Sequence, residues 1–322
     1  MRIVITELNW PSGIELLKSK GWDVIYDPDL WKDRNRLREQ LASADAVIVR
    51  NQTKIDAELL NWNHHLKVIG RLGVGLDNID LQATADKNIQ VIVGKNANAT
   101  SVAEYVISSM FAFSRLLKEA AESVRSGEWN RKKYSGAELS GKTLGLIGVG
   151  EIGHRVAVRA RILGIKVIGY DPFVAPYDYP VMETGIELVS CERVIAESDF
   201  ISLHVPLTAQ TRNLLNLVAF SRMKKSAVVI NSARGGVVNE ADLNEALQSG
   251  MIAGAVLDVL EQEPPPLDHP LLLRDNCLIT PHIAGLTEES QDRTAELVSA
   301  EVINVLEGRS SLCRVNVKGP GK

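Results

Sequence analysis

Thr143-Leu-Gly-Leu-Ile-Gly148-Val-Gly150-Glu151-Ile152-Gly153-His-Arg-Val-Ala-Val-Arg-Ala-Arg-Ile-Leu-Gly-Ile-Lys-Val-Ile-Gly-Tyr-Asp171 is the stretch that decides how this chain is read. Leu144–Ile147 is a short apolar run of the kind that forms a strand buried on both faces of a parallel sheet. It leads straight into three glycines, Gly148, Gly150 and Gly153. Val156, Ala157, Ala160 and Leu163 then recur at helical spacing, and a second apolar run, Ile165–Gly169, ends in Tyr170-Asp171.

Each part of that order suits a dinucleotide. Gly148 permits the tight turn, Gly150 lets a pyrophosphate approach the backbone, and Gly153 lets the helix pack close to the strand. The N–H groups at the helix start then face the phosphates. Asp171, 18 residues beyond Gly153, is placed to accept hydrogen bonds from the adenine ribose hydroxyls. A carboxylate there repels a 2′-phosphate, so NAD is expected rather than NADP. Glycines alone would be a weak signal. Strand, glycines, helix, second strand and terminal acid together are a strong one.

The chain of 322 residues is long enough for two domains, and 45% hydrophobic with 24% charged residues describes a globular protein. A net charge of −4 gives no electrostatic case for nucleic acid or an anionic membrane. No run of 18 apolar residues is present, so no membrane span is expected, and Met1–Thr6 is too short for a signal peptide. Cys191, Cys277 and Cys313 are odd in number and widely spaced, which suggests neither disulfides nor a metal site and fits a reducing cytoplasm.

The first hundred residues alternate strand and helix signals. Strands are expected at Arg2–Thr6, Asp23–Tyr26, Ala46–Val49, Lys67–Gly70 and Ile89–Val93, which makes a small parallel α/β unit. Ser12 is expected to cap the first helix. Asn96–Ser126 reads as one long helix, with a capping box of Ser101 and Glu104. After Asp171 comes an irregular loop, Pro172–Pro180. Strands are then expected at Ile186–Val189, Phe200–His204, Ala227–Asn231, Ala253–Leu257 and Cys277–Thr280. Leu267–Leu273 reads as a loop, a last helix spans Glu288–Leu306, and Cys313–Val317 is expected to be ordered. The fold class is α/β, with two doubly wound parallel sheets.

Three segments end strands in the second half: Asn231-Ser232-Ala233-Arg234, Asp258–Pro264 and Pro281-His282-Ile-Ala-Gly285. Their tips are expected at one edge, beside the nucleotide site. Arg, Glu and His there suit reduction of a 2-keto acid: the guanidinium grips a carboxylate or carbonyl oxygen, the imidazole protonates the developing alkoxide, and the glutamate orients the imidazole and raises its pKa. In the first half, Gly70–Asp80 ends a strand, and the amides of Val74 and Gly75 suit a small carboxylate. Arg50 and Asn51 follow another strand. With Arg71, Arg50 brings positive charge to the substrate side, pointing to a C3 phosphate or sulfonate. Asn51 would suit an uncharged C3 hydroxyl, as in glycerate and hydroxypyruvate.

The stretches Gly70–Asp80, Ser101–Glu104, Gly141–Gly153, Asn231–Glu240, Asp258–Pro264 and Pro281–Gly285 resemble the D-isomer-specific 2-hydroxyacid dehydrogenases, and within them the 3-phosphoglycerate dehydrogenase branch. The resemblance implies a NAD-binding Rossmann domain, 99–287, inserted into a flavodoxin-like substrate domain formed by 1–98 and 288–322. It implies that Arg234 binds substrate, Glu263 supports the histidine, and His282 is the proton donor. It implies a cofactor lining of Gly148, Gly150, Glu151, Ile152, Gly153, Asp171, His204, Pro206, Ser232, Ala233, Arg234, Asp258, His282 and Gly285. It also implies a homodimer built largely on the nucleotide domain. With 322 residues, no regulatory C-terminal domain of the longer phosphoglycerate dehydrogenases is expected, nor serine feedback through one. Formate dehydrogenases of the superfamily carry Gln in place of Glu263, which argues against formate.

A rival reading is a non-catalytic NAD sensor, because the resembling C-terminal-binding corepressors keep the catalytic trio. The absence of charged runs or extra tails in this sequence argues against it. His64, His65, His154 and His269 lack metal-ligand company at useful spacing and read as surface or loop residues, and no metal is expected.

Overall fold

The computed structural model describes residues 1–315. The chain forms two compact units, Met1–Asn98 with Leu286–Lys322, and Ala99–Gly285. In the first, Val- and Ile-rich segments form β1 (Arg2–Ile5), β2 (Asp23–Tyr26), β3 (Ala46–Val49), β4 (Val68–Arg71) and β5 (Gln90–Val93). All pair in parallel in the order β2-β1-β3-β4-β5. Such a sheet needs both faces covered, and β3 is buried at every residue. One core layer includes Ile3, Ile5 and Ile48 with Val298 and Val302 of the last helix, Glu288–Leu306. The other includes Val4, Val47, Val49 and Ile69. The order reverses between β1 and β3, which makes their carboxyl ends the switch point of this unit.

The second unit holds β6 (Thr143–Ile147), β7 (Lys166–Tyr170), β8 (Glu187–Leu188), β9 (Phe200–Leu203), β10 (Val228–Asn231), β11 (Gly254–Leu257) and β12 (Cys277–Ile279). The order is β12-β11-β10-β9-β6-β7-β8, again parallel throughout. Its switch point lies between β6 and β9. The helix Glu151–Ile162 follows β6 and buries Val156, Ala157 and Ala160 against the sheet core.

Several local expectations differ. The long helix is two, Ala99–Ser114 and Leu117–Arg125. The Ala137 amide donates to the Ser114 carbonyl at 3.0 Å, taking an acceptor that a continuous helix would have used. Ser101 is buried inside the first helix, and Glu104 faces Arg159 at 3.3 Å instead of closing a capping box. Ser12 lies within its helix, which starts at Pro11, and its hydroxyl donates to Asp292 at 3.0 Å. A short helix, Tyr179–Thr184, enters the loop expected to be irregular, and Pro270–Leu273 is a 3-10 turn. The tail pairs with β5 through Ile92 and Arg314, with the Val315 amide donating to Val91 at 2.8 Å. Asn316 and Val317 lie outside the described residues.

Candidate active site

The glycine loop is shaped from both sides of the second unit's switch point. Gly148 has φ +96°, and a Cβ there would run into the carbonyl of His204 at the end of β9. A Cβ on Gly153 would strike the carbonyl of Gly148, so the helix start can press this close only without one. The helix begins at Glu151 with Gly150 as N-cap, and no side chain takes its first amides. They are left for an anion. The Ser232 hydroxyl, past β10, is buried with no partner among the described residues. An uncapped helix start and an orphaned buried hydroxyl on one sheet edge fit a dinucleotide.

Asp171 is fixed by two amides, Val149 to Oδ2 and Phe173 to Oδ1, both at 2.9 Å. Each oxygen retains acceptor capacity for a ribose hydroxyl. The Glu151 side chain is held by Arg155 at 2.5 Å and by the Tyr179 hydroxyl at 2.9 Å. His204 accepts or donates at 3.0 Å to Ser202, and burial pulls its pKa down to about 4, so the ring is neutral. Pro206 is exposed beyond it.

Arg234, Glu263 and His282 follow the adjacent strands β10, β11 and β12. Asn231, buried at the end of β10, ties its turn: its Nδ2 donates to the Arg234 carbonyl at 2.9 Å, and its Oδ1 accepts from the Ala233 amide at 3.1 Å. His282 Nδ1 lies 2.7 Å from Glu263 Oε2. Burial alone would raise the Glu263 pKa. The hydrogen bond and charge of His282, the Leu260 amide and the Arg234 charge outweigh it and hold the carboxyl below the usual carboxylate range. Glu263 is therefore an acceptor, so Nδ1 carries a proton and Nε2 points away from the pair.

His282 has φ +56°, a left-handed backbone that costs a branched or ringed residue strain. Buried Asp258 offsets it by accepting from the next two amides, Ile283 at 2.8 Å and Ala284 at 2.7 Å. The Thr280 hydroxyl donates to the same carboxylate at 2.6 Å and lies 2.5 Å from the Tyr105 hydroxyl. Asp258 thus anchors the loop that carries the histidine and Gly285. Sequence reading had no signal for Tyr105. Thr280, just before Pro281-His282, offered one.

The remaining candidates lie in the first unit. Val74 is exposed, and the amides of Val74 and Gly75 donate to no described residue. Arg71 gives one N–H to the Leu72 carbonyl at 2.9 Å. Arg50 lies over Trp10, its guanidinium carbon 5.7 Å from the ring centre, and burial lowers its pKa against the opposing charge of Glu7. Asn51 is exposed, with its backbone amide on Glu7 at 3.1 Å. His64 and His65 are at the surface, His154 lies against Tyr179 at 5.3 Å, and His269 meets Glu240 at 3.0 Å. Among the described residues there is no cluster that could hold a metal and no helix long and apolar enough to cross a membrane.

Residues 107–284 match the D-isomer specific 2-hydroxyacid dehydrogenase, NAD binding domain. The chain is 40% identical over 308 residues to the D-3-phosphoglycerate dehydrogenase of Archaeoglobus fulgidus, covering 96% of this chain and 58% of that one. It is 41% identical over 318 residues to that of Methanocaldococcus jannaschii, covering 98% and 60%. It thus spans less than two thirds of the curated relatives it matches. The TT0316 protein of Thermus thermophilus shares the fold with a TM-score of 0.90 at 33% identity, covering 98% of this chain and 100% of that one. A matched nucleotide domain and a likeness running along nearly the whole chain lead to one conclusion: the protein belongs to the D-isomer specific 2-hydroxyacid dehydrogenase family, in its 3-phosphoglycerate dehydrogenase-like branch.

Proposed function

We propose that the protein is an NAD-dependent oxidoreductase acting at C2 of a D-type 2-hydroxy acid with an anionic group at C3, of the 3-phosphoglycerate or 3-sulfolactate type. The observation that carries the reading is the His282–Glu263 pair at 2.7 Å, on a family NAD-binding domain. A bound nicotinamide would supply or accept the hydride. The chain's own residues do the rest. Arg234 grips the carboxylate and carbonyl end, and the amides of Val74 and Gly75 take the carboxylate. In reduction, protonated His282 gives its Nε2 proton to the oxygen at C2. In oxidation, neutral Nε2 takes that proton back. Glu263 stays ionised, fixing the ring and balancing its charge. Arg50 meets the C3 anion, and one charge-assisted contact of roughly 1.5–3 kcal/mol favours the anionic tail by about 10- to 150-fold.

The cofactor lining consists of Gly148 to Gly153, Asp171, His204, Pro206, Ser232 to Arg234, Asp258, His282 and Gly285. The protein works in the cytoplasm as a homodimer. Leu117, Val124, Trp129 and Ile162 are apolar yet exposed, and a second copy would cover them. Sedimentation tests the dimer. The substrate is tested by following NADH consumption with 2-keto acids that bear phosphate, sulfonate, hydroxyl or hydrogen at C3. The anionic tails are expected to be favoured at least about tenfold in kcat/KM. Best turnover of hydroxypyruvate or glyoxylate would overturn the anionic tail in favour of a glyoxylate/hydroxypyruvate reductase.

A further inference from the structure

Open α/β sheets receive ligands at the switch point, where amides at strand ends stand free. In the first unit that place is the carboxyl ends of β1 and β3. Its amides are already taken by the chain itself. Glu7, two residues past β1, is 3% exposed. Its Oε1 accepts from the amides of Arg50 at 2.7 Å and Thr53 at 2.9 Å. Its Oε2 accepts from Asn51 at 3.1 Å and Gln52 at 2.9 Å. The hydroxyls of Thr6 and Thr53, 2.7 Å apart, tie the same turn to β1. Four converging amides form an anion nest, and a buried carboxylate satisfies all four. The turn therefore has no backbone left to offer a substrate anion. What it presents is the side chain of residue 50.

That side chain is held by a second device. Trp10, the residue just before the helix Pro11–Lys18, lies under the Arg50 guanidinium at 5.7 Å. Its own amide donates to Asn9 Oδ1 at 2.9 Å, which fixes its place. The guanidinium makes no hydrogen bond to a described residue. A guanidinium held over an indole, with no hydrogen-bond partner among the described residues, keeps its N–H groups for a ligand.

We propose that Glu7 and Trp10 are positioning residues for the C3 anion, Glu7 by fixing the backbone of the turn and Trp10 by holding the Arg50 guanidinium through a cation–π contact. This rests on the reading that Arg50 meets the anionic tail. An arginine held in one place loses less freedom on binding, so its contact selects the tail more strongly.

The test compares 3-phosphohydroxypyruvate with pyruvate, reading kcat and KM separately for each. In Trp10→Leu the ratio of efficiencies, phosphate-tailed over pyruvate, is expected to fall about 3- to 10-fold, and the loss to lie in KM. Trp10→Phe, which keeps an aromatic face, is expected to restore most of it. Glu7→Gln, which offers one acceptor oxygen where two are needed, is expected to lower the ratio by about tenfold or more. If Glu7→Gln fails to fold, the Trp10 pair decides. Arg50→Ala separates the two layers. Should Arg50→Ala erase the tail preference while the Trp10 variants and a folded Glu7→Gln keep it, the substrate reading stands and the positioning roles fall. Should Arg50→Ala leave the preference intact, both fall.

Discussion

The hydroxyl of Tyr105 lies 2.5 Å from that of Thr280, 175 residues later in the chain. Thr280 donates to Asp258, so Tyr105 is the donor at the head of a chain of hydrogen bonds that ends on the carboxylate holding the His282 loop. Burial, with the Asp258 charge adding and the Thr280 hydrogen bond opposing, pushes the Tyr105 pKa up to about 12, so it remains a hydroxyl at any working pH. Tyr105→Phe is expected to cost about 1 kcal/mol of stability, the usual worth of a partly buried hydrogen bond. It should also lower kcat by a few fold through a looser histidine. Thermal unfolding and steady-state kinetics check the pair, and a change in neither would remove Tyr105 from the site's support.

Asp258→Asn should act more strongly at the same place. An amide keeps one acceptor oxygen, while the aspartate receives the Ile283 and Ala284 amides and the Thr280 hydroxyl. With His282 at φ +56°, the loop is expected to relax, and kcat to drop by at least about tenfold. Unchanged kinetics would mean that the histidine is held by other means.

Acid–base roles give opposite pH limbs. In the proposed mechanism reduction needs a proton on His282 Nε2 and oxidation needs that nitrogen free, so the two directions should respond to pH in opposite senses. His282→Ala should cost at least about 100-fold in either direction. Glu263→Gln removes the carboxylate that holds the ring, so kcat should fall by about tenfold or more in both directions. Because the Glu263 carboxyl is held below the usual range, it should stay ionised until the medium is more acidic than ordinary carboxylates require. Near-full activity of His282→Ala would refute the proton-donor role.

His204 predicts a stability change at mild acidity. Its pKa is lowered to about 4 in the fold, against roughly 6.5 in an unfolded chain. Between those values the unfolded state binds a proton that the native state refuses, so stability falls as pH drops from about 6.5 to 4 and then levels off. The size is about 1–3 kcal/mol, and water at the residue's exposed part favours the lower end. His204→Gln should flatten that stretch of the Tm profile against pH. An equally steep profile in the variant would assign the acid sensitivity elsewhere.

The proposed ribose-binding role of Asp171 makes the cofactor preference testable. NADH should be preferred over NADPH. Asp171→Ala should narrow the ratio at least about tenfold by removing the ribose acceptor and the repulsion of a 2′-phosphate. It also releases the Val149 and Phe173 amides, so affinity for NADH itself should fall. Equal efficiency with both cofactors in the unmutated protein would contradict the assignment.

What the sequence discloses is what neighbours along the chain decide. β6, the glycine turn and the helix after it follow from apolar runs and glycines within a few residues of one another, and both sheets were legible that way. The break after Ser114 was not, because the amide that causes it belongs to Ala137 on a returning segment. Glu7 reads as an ordinary acid after a strand; its work depends on amides 43 to 46 residues away. Tyr105 reads as one more apolar position in a helical stripe, until Thr280 is brought beside it.

The contact of Gly148 with the His204 carbonyl bears on how portable this nucleotide loop is. Residues 143–171, lifted onto another scaffold, would arrive without the wall that shapes their turn. The smallest transplantable module must also carry β9, whose strand supplies that wall.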